Sequence, residues 1–109
     1  MKTGYTLFKT DGTATRQSCE WPARPGLNRI KEMVEPLLGG GGLMHMSVLL
    51  DGKERDMFVD DATTEGFEVN EQATKIWHTT YLTRFPKADS KTLPWVYGPA
   101  VLFDRQVWF

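Results

Sequence analysis

The sequence predicts a single α+β domain, a mostly antiparallel sheet packed by two helices in the element order ββαββαβ. Three observations carry this. Asp11-Gly12 and Asp51-Gly52 each lie between β-prone runs, where glycine accepts the positive φ of a tight hairpin turn. Apolar residues recur at helical spacing in two separate stretches. The chain has 109 residues, enough for one hydrophobic core and too few for two domains.

The first hairpin pairs Tyr5–Thr10 with Thr13–Cys19 across a type I′ turn at Asp11-Gly12, and Pro22 and Pro25 close it. A helical stripe follows with Leu27, Ile30, Val34, Leu37 and Leu38 on one side. Pro36 lacks a backbone donor, which predicts a short helix or a kink near Glu35, and Gly39–Gly42 stops it. The second hairpin runs from Leu43 to Asp60 about Asp51-Gly52. A two-residue turn pairs Leu50 with Lys53, Val48 with Arg55, Met46 with Met57 and Met44 with Val59. That register gathers Met44, Met46, Val48, Met57 and Val59 on one apolar face. It leaves Leu43, His45, Ser47, Leu49, Glu54, Asp56 and Phe58 on an amphipathic face expected to be wet.

Asn70 before Glu71-Gln72-Ala73 reads as a helix N-cap with an acid in the first turn. Ala73, Ile76, Trp77, Thr80, Tyr81 and Arg84 form the stripe of this helix, and Pro86 ends it. Leu93–Tyr97 and Ala100–Phe103 read as an irregular strand broken at Gly98-Pro99, with a short final strand in Asp104–Phe109. A hairpin, a helix and a returning strand pair resemble the β-grasp arrangement of ubiquitin-like domains, an analogy of element order that carries no function.

Net charge is −1, with neither the basic excess of a nucleic-acid binder nor the acidic excess of a DNA mimic. The charge is nonetheless uneven: residues 51–71 hold eight acids against Lys53 and Arg55, a local −6. Cys19 is the only cysteine, which excludes an internal disulfide and fits a reducing compartment. Met1–Tyr5 lacks the apolar run of a secretory signal and no stretch is long enough to span a bilayer. The expectation is a cytoplasmic protein with no membrane and no nucleic-acid partner.

Asp51-Gly52-Lys53, Met57-Phe58-Val59-Asp60-Asp61, Val69–Thr74 and Tyr97-Gly98-Pro99-Ala100-Val101-Leu102 together resemble a family of small uncharacterised domains of phage genomes and bacterial mobile elements. The resemblance spans roughly residues 44–103 and omits the first hairpin. It implies a small accessory protein and brings no catalytic residue with it.

Recognised catalytic spacings are missing. Gly39–Gly42 follow a helix, whereas a phosphate cradle needs its glycines ahead of one. Cys19 has no neighbouring base, and no Gly-x-Ser-x-Gly occurs. The aromatics are more informative. Four tryptophans are many for this length, and Trp and Tyr serve binding surfaces as large, rigid, hydrogen-bonding anchors. Trp77, Tyr81, Trp95 and Tyr97 are the candidate residues for a groove that takes a host or phage protein or a small ligand. The leading expectation is a non-enzymatic binding module with no cofactor.

The alternative is a small metal-dependent hydrolase or nuclease. Clustered carboxylates can share a divalent cation, and here Asp56, Asp60 and Asp61 would join His45 or His78. A third expectation is a homodimer through an exposed Tyr5–Thr10 edge.

Overall fold

The computed structural model describes residues 1–39, 42–60 and 68–109. The chain forms β1 (Lys2–Phe8), β2 (Ala14–Glu20), α1 (Leu27–Leu38), β3 (Met44–Leu50), β4 (Lys53–Val59), α2 (Glu71–Arg84), a 3-10 turn at Ser90–Thr92 and β5 (Ala100–Phe103). The strands make one antiparallel sheet in the order β2-β1-β5-β4-β3. The short β5 therefore lies in the middle and joins the two hairpins.

The second hairpin has the predicted register, Leu50 on Lys53 through Met44 on Val59. Its turn is type I′: φ is 51° at Asp51 and 75° at Gly52, a pair of left-handed residues that matches the twist of the strands. The first hairpin turns differently. Lys9 N–H donates to Thr13 O at 2.9 Å and Gly12 N–H to Lys9 O at 3.1 Å, so the loop holds three residues. Only Gly12 takes a positive φ there, because the Asp11 carboxylate accepts from the Thr13 amide (2.9 Å) and hydroxyl (2.7 Å). The strand it follows begins at Lys2 and ends at Phe8.

The two helices lie against opposite faces of the sheet. On one side Ile30, Val34 and Leu38 of α1 meet Phe58, Val101, Phe103, Trp21 and Val107. On the other, Ala73 of α2, with Ile76 and Trp77, meets Met46, Val48, Met57, Val59, Ala100 and Leu102. Strands with apolar residues on both faces can bury both, and all four residues of β5 are buried. The His45–Phe58 face of the second hairpin is thus a core face rather than a wet one: Phe58 is 0% and Asp56 2% exposed.

α1 runs through Pro36 to Leu38, and Gly39 ends it at φ 101° with its N–H on Glu35 O. Leu93–Tyr97 is not a strand; Tyr97 makes a single bridge to Val69. Nor is the stretch after β5. Asp104 N–H still donates to Gly4 O at 3.0 Å, but beyond it the segment is irregular and side chains take up its backbone: the Asp56 carboxylate accepts from Val107 N (2.6 Å) and Trp108 N (2.8 Å). Arg105 staples the same segment to Thr3 Oγ1 (2.8 Å), Ala23 O (2.8 Å) and Pro22 O (3.1 Å).

Candidate functional site

An apolar cleft of about 370 Å³ opens where β3, α2 and the 94–97 segment meet. Trp77, Trp95 and Tyr97 line it together with Met44, Met46, Val59 and Val96, and Arg84 stands among them. Three of the four predicted aromatics therefore converge. Tyr81 does not reach the lining; it lies along α2, its ring 6.0 Å from Trp77 and 4.9 Å from Phe85. Trp95 is 55% and Met44 45% exposed, so two large apolar side chains border the cleft in contact with water.

The wall that carries Trp95 is held in place by the first half of α2. Asn70 caps that helix through Oδ1, which accepts from Ala73 N at 3.1 Å, as the sequence predicts. Its amide group also donates to Phe8 O and Gly98 O, each at 2.9 Å, while its backbone N–H donates to Val96 O at 2.7 Å. Thr74 Oγ1 accepts from Val96 N at 2.9 Å. His78 holds Pro94 O at 2.9 Å through Nε2, which must be the protonated nitrogen because a carbonyl only accepts, and its ring meets Trp95 edge-on at 5.9 Å. His78 is thus a positioning residue for the cleft. Its helix spacing from Asn70 and Thr74 is the signal that places all three on one side of α2.

β3 supplies the opposite wall and is an end strand of the sheet. Outward main-chain groups of Leu49 and Ser47 are taken up by α2. Leu49 N–H donates to Thr80 Oγ1 at 3.0 Å, and Arg84 Nη1 donates to Ser47 O at 3.1 Å. A helix laid along an edge in this way blocks further strand addition there.

The residues of the metal reading are arranged differently. His45 Nε2 lies 2.5 Å from Asp56 Oδ1, and the other oxygen of that buried carboxylate holds the Val107 and Trp108 amides. The His45 ring stacks on Trp108 at 5.2 Å. Asp60 is also buried, at 4% exposure, and Asp61 lies outside the described residues. Among the described residues no group of three or more His, Cys, Asp and Glu side chains is placed to hold a metal ion. The Asp56–His45 pair instead clamps residues 107 and 108 to the sheet.

A second, polar groove of about 560 Å³ lies at the other end of the sheet around Lys2, Arg16, Gln17, Ser18 and Asp104. Arg16 grips Asp104 with two hydrogen bonds of 2.8 and 2.7 Å, which holds the Asp104 carboxyl below the usual carboxylate range. Cys19 packs near the α1-side core, and burial pushes its thiol above the ordinary value, away from the reactive thiolate.

No family model, curated protein or solved structure matches the chain. No helix among the described residues is long and apolar enough to cross a membrane.

Proposed function

We propose that the chain is a non-enzymatic binding module whose cleft takes an apolar, aromatic-bearing group, carried by a small ligand or by a side chain of a partner protein. One observation carries this reading: Trp77, Trp95 and Tyr97 surround one cleft with Met44, Met46 and Val59, on a wall pinned by Asn70, Thr74 and His78. Its volume is at the small end of the roughly 300–1,000 Å³ of small-molecule sites. That size suits one or two rings rather than a dinucleotide. A pinned wall lowers the ordering cost of binding, and an aromatic lining rewards flat apolar groups. The resemblance to phage and mobile-element domains fits an accessory role with a host or phage protein as the partner.

The test is heteronuclear NMR titration with indole and naphthalene fragments in one arm and short Trp- or Phe-bearing peptides in the other. Binding shifts the Trp77 and Trp95 indole N–H signals, and Trp95→Ala weakens it at least about tenfold. Trp95 is largely exposed, so that variant keeps its fold. Shifts scattered away from the cleft, or undiminished binding by Trp95→Ala, would refute the reading.

A further inference from the structure

The sheet has two edges, and only one of them is covered. β3 is capped by Thr80 and Arg84 of α2. β2 lies at the other end with six of its seven residues exposed. The expected edge, Tyr5–Thr10, is not one, because β1 is hydrogen-bonded to β2 on one side and β5 on the other.

The ladder fixes which groups of β2 face outward. Trp21 N–H donates to Met1 O and Lys9 N–H to Thr13 O, so residues 13, 15, 17, 19 and 21 bond inward to β1. Ala14, Arg16, Ser18 and Glu20 then point their N–H and C=O groups away from the sheet. Among the described residues no hydrogen bond reaches that outer row. Ala14–Glu20 contains no proline and no lysine, two of the devices that keep an edge from pairing.

We infer that β2 pairs antiparallel with β2 of a second copy of this chain, about a two-fold axis through Ser18. Only outward residues can form the hydrogen-bonded pairs, so the axis must pass through residue 16, 17 or 18 for a long overlap. An axis at Arg16 sets two guanidinium groups opposite each other, which repels. An axis at Gln17 overlaps all seven residues of Ala14–Glu20 but faces Arg16 with an uncharged serine, whereas an axis at Ser18 overlaps residues 16–20. An axis at Ser18 faces each Arg16 with the partner's Glu20, an opposite-charge pair made twice by symmetry. Arg16 and Glu20 lie on the same face of β2, and their side chains are 62% and 78% exposed. Each has a partner within its own chain, Asp104 for Arg16 and the N-terminal ammonium for Glu20, so the partner's Glu20 joins the Arg16–Asp104 pair as a second carboxylate. The product is one continuous sheet through both copies. The paired edge lies at the far side of the sheet from the aromatic cleft, so the inference is independent of the proposed binding role.

Sedimentation velocity of the whole chain at high micromolar concentration shows a dimer, which Glu20→Arg weakens at least about tenfold with circular dichroism unchanged. The register is read by a cross-link. Residues directly opposite in a hydrogen-bonded pair have Cα atoms about 5.5 Å apart, within disulfide reach. Ser18→Cys in a Cys19→Ser background therefore oxidises to a covalent dimer, and Gln17→Cys in the same background does not. A strict monomer, a dimer indifferent to Glu20→Arg, or preferential cross-linking through position 17 would each overturn the inference.

Discussion

Removing the Asp56 carboxylate tests how residues 104–109 are held. Asp56 is 2% exposed and accepts from Val107 N at 2.6 Å, Trp108 N at 2.8 Å and His45 Nε2 at 2.5 Å. Asp56→Ala leaves two amides and an imidazole without their acceptor beside the core residues Phe58 and Val107. Breaking one side of a buried, charge-assisted network costs about 3–5 kcal/mol. The low end applies if the segment frays and its amides find water. Near the melting point of a domain this size, that corresponds to a Tm lower by roughly 13–22 °C. Asp56→Asn keeps an acceptor of similar shape and loses about 1–2 kcal/mol. Urea unfolding followed by tryptophan fluorescence gives both values, and hydrogen exchange at Val107 and Trp108 reports local release. A loss below about 1 kcal/mol in Asp56→Ala, within the range of a surface change, would show that the clamp does not hold this segment.

Three further outcomes follow from named contacts. Asn70→Asp keeps the cap but turns a buried oxygen toward Phe8 O and Gly98 O, and should cost about 2–4 kcal/mol in urea unfolding. Thr80→Val strips the Leu49 amide of its acceptor while conserving shape, a loss of about 1–3 kcal/mol on the same assay. Asp104 titrates below the ordinary aspartate value because Arg16 hydrogen-bonds its charged form. The folded state thus binds that proton less tightly than the unfolded chain. Its contribution to stability is present at neutral pH and above the unfolded pKa, and is lost as pH falls through the folded one. Carbon-detected NMR titration should show the midpoint rise in Arg16→Gln; an unmoved midpoint would remove Arg16 as the cause.

Local rules made much of this fold legible. Asp51-Gly52 dictates a two-residue turn, a two-residue turn dictates the pairing, and the pairing dictates which face holds the methionines. Asn70 announced its helix in the same way. What depended on distant partners was harder to read. His45, Asp56 and Phe58 look amphipathic in isolation, and only α1 and residues 107–108 arriving from elsewhere make that face a core. The first turn departs from type I′ for a subtler reason, since an Asp that binds Thr13 need not adopt positive φ. Three of the candidate site aromatics converge as the Pro/Gly-rich stretch suggested. Their backing by Thr74 and His78 required knowing that 94–97 docks on α2 rather than extending β5.

The central position of β5 has a consequence for synthesis on the ribosome. Each hairpin closes from residues adjacent in sequence, but the strand that welds them is made after both, so long-range pairing waits for it. Until residues 100–103 emerge, β1 and β4 both present unsatisfied backbone to solvent or to other nascent chains. This is a window in which chaperone holding, or slower traffic along the message, would most affect the yield of native molecules.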